Sequence, residues 1–277
     1  MSATIHQLAT YWKQGAGSPW RALEFLIRRA VPFGVSFKDL ESYRISTWRH
    51  GKLPRMHLTQ IFPGIETVKV NLLNLYQRKI GLSMDAGEVM VLCAIVRFLG
   101  ARKVAEIGTY DGNTTLNVAA NLPRDGCVTT IDLPPNWDRK FVYDVPNSHW
   151  NVTDRNRIGI QYRGTEYENR IRQVLGDSAT VDWSELHPPF DLIFIDGCHY
   201  RDYVNADTAH AMRNIRPGGV VVWHDYGDIK DVSLVVDETA RQMTVRVVRG
   251  TRLAVGWQGP RPAPAAESET VILPPRG

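Results

Sequence analysis

The chain is short of cysteine, of charge of one sign and of long apolar runs, and each shortage removes a class of answer. Cysteine occurs only at Cys93, Cys127 and Cys198 among 277 residues. That spacing matches no compact zinc pattern, and an odd count does not make a disulfide framework. Reduced thiols in a cytoplasmic protein are the expectation. Lysine and arginine number 33 against 29 acids, a net charge of only +4. No dense basic block appears; Arg155, Arg157 and Arg163 fall fairly close together but among acidic and neutral residues. A nucleic-acid partner is therefore not expected. No apolar run reaches the ~20 residues that span a bilayer. Val89 to Leu99 is short and broken by Arg97, and reads as a buried helix. A secretory pattern is also missing from the N-terminus, so no membrane partner is expected.

What is present is a core. Hydrophobic residues make up 43% of the chain, which argues against disorder over most of its length. The first 82 residues read as a helical extension. Trp20 to Ala30 and Ile65 to Ile80 carry apolar residues at helical spacing, with a proline- and glycine-containing loop over 51–65 between them. This extension could cover an active site, form a dimer contact in a homo-oligomer, or support the main domain by packing. The main domain, 83–258, alternates helices and strands. Helices are expected at Met84–Leu99, Thr114–Asn121, Glu166–Leu175, Tyr203–Asn214 and Val232–Thr244. Strands are expected at Lys103–Ile107, Cys127–Ile131, Leu192–Ile195, Gly219–Trp223, Val245–Val248 and Leu253–Trp257. Alternation of this kind predicts an α/β fold with a mostly parallel, doubly wound sheet. A long insert, Pro134–Gly159, and a proline-rich tail, 259–277, complete the chain.

The strongest local signal is Val104-Ala-Glu-Ile-Gly-Thr-Tyr-Asp-Gly-Asn113. Gly108 and Gly112 let a ligand approach the backbone at the end of a buried strand. Glu106 precedes the turn, Thr109 and Tyr110 form it, and Asn113 and Thr114 open a helix whose free amides suit polar groups. The dinucleotide pattern G-x-G-x-x-G is missing, which disfavours a nicotinamide oxidoreductase. Asp132, ending the next strand, can accept hydrogen bonds from both ribose hydroxyls of a nucleoside. Asp177 and Ser178, in Leu175-Gly-Asp-Ser178, could meet an adenine. In Phe190-Asp-Leu-Ile-Phe-Ile-Asp-Gly197, Asp191 starts the apolar strand and Asp196 ends it, at the edge where open parallel sheets gather ligands.

With these motifs, residues 83–257 resemble the class I S-adenosylmethionine-dependent methyltransferases. Glu106-Ile-Gly-Thr-Tyr-Asp-Gly-Asn matches the first cofactor motif of that family. Asp132 falls at its ribose-binding acid, Gly176-Asp177 at its adenine-pocket acid, and Arg216-Pro-Gly-Gly219 at the turn before the fifth strand. The resemblance implies a Rossmann-like sheet of order 3-2-1-4-5-7-6 with the seventh strand antiparallel. It also implies S-adenosylmethionine as cofactor, with Asp196 at the edge of its site.

Two acids, Asp196 and Asp225, end neighbouring strands, with His199 and His224 close by. Such oxygen and imidazole donors can hold a divalent cation such as Mg2+. Ile195-Asp-Gly-Cys-His-Tyr200 and Trp223-His-Asp-Tyr226 are similar to the metal-dependent O-methyltransferases, particularly those acting on sugars and antibiotics. The expected ligands are Asp196, Asp225 and His224, the last standing where a second acid is frequent in that branch. Catechol-modifying relatives carry a lysine at the place of His199 and an asparagine at the place of Tyr226. His199, as a neutral imidazole, is the candidate general base beside Asp196. Cys198 could touch substrate, and Tyr110, Trp137, Trp150 and Tyr200 could line an aromatic pocket. The expected reaction is methyl transfer to a hydroxyl of a small molecule such as a sugar or secondary metabolite. Alternatives are a non-methylating, hydroxylase-like metal enzyme on the same fold and a binding protein without catalysis.

Overall fold

The computed structural model describes residues 50–74, 84–137, 140–145 and 157–265, all within the unit Ile45–Gly277. The helix expected at Trp20–Ala30, part of the insert with Trp150, and the tail beyond 265 lie outside the described residues.

The centre is one sheet of eight strands: β1 (Arg55–Met56), β2 (Lys103–Ile107), β3 (Cys127–Asp132), β4 (Ile171–Leu175), β5 (Phe190–Ile195), β6 (Ile215–Trp223), β7 (Thr244–Val248) and β8 (Ala254–Trp257). They lie in the order β1-β7-β8-β6-β5-β2-β3-β4. β8 is antiparallel to both β6 and β7, and every other pairing is parallel. Counted from β2, this is the expected order 3-2-1-4-5-7-6. The extra strand is β1, where Arg55 pairs with Val247 and Met56 with Val248 along the free edge of β7.

Helices cover both faces, because each strand alternates its apolar side chains between two cores. On one face Val104, Leu192, Phe194, Val220, Val222 and Val255 pack beneath α1 (Ala86–Phe98) and α2 (Asn113–Asn121). On the other, Ile107, Ile193, Ile195, Val221 and Trp223 pack beneath α3 (Arg201–Asn214) and α4 (Lys230–Thr239). Trp223 is fully buried, and its indole N–H donates to Thr208 Oγ1 at 2.9 Å, so its polar edge is satisfied. α1 starts at a capping box: Asp85 and Glu88 exchange side-chain and backbone hydrogen bonds. Among the described residues no helix is long and apolar enough to cross a membrane.

Several expected elements differ. Ile65–Ile80 does not form a helix over its described part. After a 3-10 turn at Ile65–Thr67, residues 68–74 run without helix. Val68, Val70 and Leu72 turn to the core at every second position, and Lys69 and Asn71 point outward, a two-residue rhythm that the helical reading passed over. The backbone of this segment is satisfied by α2. Asn71 N–H donates to Asn121 Oδ1 at 2.9 Å, Asn121 Nδ2 returns a bond to Asn71 O at 2.7 Å, and Leu73 N–H donates to Asn117 Oδ1 at 2.7 Å. Glu166–Leu175, expected as a helix, is a 3-10 turn at Glu168–Arg170 followed by β4. Ile171–Leu175 pairs with Val128–Asp132, and none of its residues is fully buried; half-exposed edge strands of this length give an ambiguous period. The helix expected over Val232–Thr244 ends at Thr239, and Thr244 already opens β7.

Candidate active site

The glycine turn after β2 is built by close approach. At Gly108, φ is +99°, and an added Cβ would sit 2.1 Å from the carbonyl oxygen of Asp196, so β2 and β5 touch here only because the side chain is a hydrogen. Tyr110 follows in the left-handed region, φ 49°. Its N–H donates to Asp132 Oδ2 at 2.8 Å, and Leu133 N–H donates to Asp132 Oδ1 at 2.7 Å. The Asp132 carboxylate is thus fixed at the strand edge beside the turn. Asp111, just before the Gly112 N-cap of α2, accepts from Asn113 N–H at 3.1 Å, occupying one of the free amides of the helix start. Asn113 is buried and Thr114 half-buried at the helix start, where Thr114 Oγ1 lies 3.9 Å from Met84 Sδ. Thr109 is buried, its hydroxyl 2.6 Å from that of Thr130.

Glu106 lies beneath this turn. It is buried, and one carboxylate oxygen receives the hydroxyls of Thr115 and Thr130 while the other has no partner. Burial pushes its carboxyl up to about 8, against the pull of those hydroxyls. Glu106 therefore ties β2 to α2 and β3 from below. Asp177, expected at an adenine, is likewise turned inward. It is 2% exposed, accepting from Tyr203 OH at 2.7 Å and from Ala179 N–H at 3.0 Å. It shapes the loop after β4 and leaves the half-buried Ser178 at its surface. In the insert, Trp137 stacks on Phe141, while Phe141 and Tyr143 meet the Tyr203 ring edge-on.

The two acids expected to meet do so. Asp196 follows β5 and Asp225 follows β6, Asp225 in the left-handed region at φ 57°. His199 Nε2 lies 2.9 Å from Asp225 Oδ2 and 3.8 Å from Asp196 Oδ1. That nitrogen atom is buried, though the side chain as a whole is half-exposed, and it is not aligned for a hydrogen bond to either acid. Asp196, His199 and Asp225 each bring a donor atom within 4.8 Å of the others, and the unsatisfied imidazole nitrogen facing two carboxylates fits a divalent cation. The group differs from the expected one, which had His224 where His199 stands. His224, 5% exposed, has both ring nitrogens engaged, Nδ1 with Asp196 Oδ1 and Nε2 with Glu88 Oε2, each at 3.0 Å. It stands behind the acids as their support. Tyr226 points away altogether, donating to Asp237 Oδ1 at 2.6 Å and accepting from Leu53 N–H at 2.9 Å.

The electrostatics follow from this crowding. Burial works against charge on His199, yet the carboxylates of Asp196 and Asp225 outweigh it and raise the ring to about 9. Facing these acids alone the ring favours its protonated form, whereas a cation or a base role at the same place requires the neutral imidazole that the sequence reading expects. Burial likewise opposes charge on His224 and Asp225. Their mutual attraction prevails, holding the imidazole well above and the carboxyl well below their ordinary values. Burial raises the Cys198 thiol to about 11, so it is no nucleophile near neutrality.

Two members of the cluster escaped the sequence reading: Glu88 on α1 and Arg252, two residues before β8. Arg252 Nη1 donates to Asp225 Oδ1 and its Nη2 to Glu88 Oε2, each at 2.8 Å. Because β8 runs antiparallel, with Ala254 paired to Trp223, the residues leading into it lie at the same edge as the carboxyl ends of β5 and β6. Only an acid on the buried, otherwise apolar face of α1 could have signalled Glu88.

Residues 105–226 match a family described as a methyltransferase domain. Over 140 residues the chain is 27% identical to caffeoyl-CoA O-methyltransferase 2 of Zea mays, covering 50% of this chain and 48% of that protein. It is 26% identical over 144 residues to the probable caffeoyl-CoA O-methyltransferase 3 of Dictyostelium discoideum, covering 50% and 49%. The chain thus spans about half the length of these curated relatives. Among solved structures, the SAH-bound Podospora anserina methyltransferase is similar with a TM-score of 0.50 at 12% identity, covering 83% of this chain and 98% of that one. That likeness is one of fold.

Proposed function

We propose that this protein, with its methyltransferase domain over residues 105–226 and its class I sheet, is an S-adenosylmethionine-dependent O-methyltransferase acting on a hydroxyl of a small molecule. The observation that carries the reading is the meeting of two sites at one edge. The glycine turn of Gly108 touches the carbonyl of Asp196, and Asp196 is itself part of the Asp196, His199 and Asp225 group. A methyl donor held at the first therefore lies next to an acceptor held at the second.

In this reading Asp132, immobilised by Tyr110 and Leu133, accepts the ribose hydroxyls. The turn Gly108–Gly112 admits the cofactor against the backbone, and Ser178 borders the adenine. Asp196, His199 and Asp225 would hold a divalent cation, which when bound acidifies a hydroxyl and orients it. In the transfer itself an oxygen lone pair forms the new O–C bond, the S–C bond breaks with its pair left on sulfur, and the hydroxyl proton passes to solvent. Alignment of donor and acceptor supplies most of the acceleration. The substrate class is a sugar or secondary metabolite hydroxyl. The names of the curated relatives, caffeoyl-CoA O-methyltransferases, support including phenols in that range.

Calorimetric titration with S-adenosylmethionine, first with chelator and then with Mg2+, tests the cofactor and the cation together. Mass spectrometry of a panel of catechols, hydroxycinnamoyl esters and sugars then reads methyl gain. Saturable cofactor binding with methylated product is expected. No cofactor binding under either condition would overturn the reading.

A further inference from the structure

A buried carboxylate on an otherwise apolar helix face is costly unless it is fully paired. Glu88 is 4% exposed, and Val89, Leu92, Cys93 and Val96 of the same helix serve the core. It is paired to an unusual degree. Its oxygens receive Arg252 N–H at 2.7 Å, Arg252 Nη2 at 2.8 Å and Nε at 3.2 Å, His224 Nε2 at 3.0 Å and Asp85 N–H at 3.4 Å. Burial would raise its carboxyl, but His224 and Arg252 bring it down to about 2. Replacing such a group with apolar side chains is often neutral for stability, so packing does not by itself account for it.

The consequence lies one bond further out. The two cations that Glu88 grips are those that grip the site acids: His224 Nδ1 holds Asp196 Oδ1 at 3.0 Å, and Arg252 Nη1 holds Asp225 Oδ1 at 2.8 Å. With Asp225 Oδ1 engaged from behind, its Oδ2 is the atom left beside His199 Nε2. Glu88 and Arg252 both fall outside the stretch 105–226 that matches the family. The domain supplies the ligands, and its flanks supply what aims them.

We propose that Glu88 is a positioning residue for the acidic centre, fixing Asp196 through His224 and Asp225 through Arg252 so that Asp196, Asp225 and His199 are presented together to a divalent cation. This rests on the reading of those three residues as cation ligands. Outer partners that orient metal ligands typically change metal affinity about 10–100-fold when removed. All five groups facing Glu88 are donors, so a glutamine, with one acceptor oxygen, cannot satisfy them.

The test is Mn2+ binding, read from the loss of its free electron-paramagnetic-resonance signal, alongside calorimetry with S-adenosylmethionine, for wild type, Glu88→Gln and Arg252→Lys. Wild type should take up Mn2+. Glu88→Gln should weaken that uptake about 10–100-fold while cofactor affinity stays within about twofold. Arg252→Lys, which keeps charge but loses the fork, should weaken it too, and it carries the test should Glu88→Gln not fold. A purely structural role would lower the melting temperature and leave Mn2+ affinity well below the melt unchanged. That outcome overturns the proposal, and so does a wild type that binds cofactor but no Mn2+. Mn2+ uptake sensitive to Glu88 in a protein that binds no cofactor would support the positioning role and sink the methyltransferase reading instead.

Discussion

Glu88 and His224 stand 136 positions apart in the chain, yet Glu88 Oε2 and His224 Nε2 are 3.0 Å apart in the core. The contact joins the first turn of α1 to the end of β6. It is possible because β6 is central in the sheet and α1 lies over that face, with Phe194, Val220 and Val222 beneath it. The His224 ring, between Glu88 and Asp196, thereby couples the packing of a helix to the orientation of an acid at the strand edge. A site held this way is rigid on both sides, which suits chemistry that depends on alignment.

Of the two site acids, Asp225 is bonded by Arg252 on Oδ1, and its Oδ2 lies 2.9 Å from His199 Nε2. Asp225→Asn keeps the shape and removes the charge. Its expected effect is a fall in Mn2+ affinity of about 100-fold or more, with cofactor binding retained. The same resonance titration measures it, and unchanged uptake would remove Asp225 from the ligand set.

Gly108 is the hinge between the two halves of the site. A Cβ there would fall 2.1 Å from the Asp196 carbonyl oxygen, at a φ of +99° that L side chains rarely adopt. Gly108→Ala should cost about 2 kcal/mol or more in urea unfolding, from strain and displaced backbone. It should also abolish saturable binding of S-adenosylmethionine. A variant that binds cofactor normally would show that the turn does not border the cofactor.

The sheet was legible because its strands are buried on both sides and flanked by glycine turns. Gly108, Asp132, Asp196 and Asp225 all stand at or just after strand ends, so their placement in the fold was legible from the strand pattern. Where periodicity was ambiguous the reading failed. Val68, Val70 and Leu72 alternate over too short a run to reveal a segment held by Asn117 and Asn121, and Ile171–Leu175 passed for a helix. Asp177 sits at the expected place in the chain but points inward to Tyr203, a rotation no spacing encodes. Glu88 and Arg252 were invisible because their partners are set by topology, above all by the antiparallel course of β8.

Tyr226 offers a control next to the site. Its hydroxyl bridges Leu53 N–H and Asp237 Oδ1, tying the segment before β1 to α4. Tyr226→Phe should cost about 1–2 kcal/mol in urea unfolding, because it leaves a backbone N–H and a carboxylate without their partner. Mn2+ affinity should be unchanged. A tenfold loss of Mn2+ binding would instead bring the phenol into the cation's surroundings.

Glu106 gives a pH signature of its own, set chiefly by burial and added to by the nearby charge of Asp196 and Asp132. Its carboxyl is raised from 4.5 to about 8 in the folded protein, chiefly by burial. Between these values the unfolded chain has released the proton and the folded chain keeps it. Folding then binds a proton, and stability must fall as pH rises. The contribution is complete below the unfolded pKa and is lost progressively up to the folded one, at about 1.4 kcal/mol per pH unit within that window. Glu106→Gln carries no titratable proton, so this slope should disappear from it. Urea unfolding of both proteins from about pH 5 to 8 reads the difference directly, with other groups cancelling. The variant should gain on the wild type as pH rises. Two parallel curves would mean that Glu106 is ionised in the folded protein and that the threonine hydroxyls of Thr115 and Thr130 hold a carboxylate, not an acid.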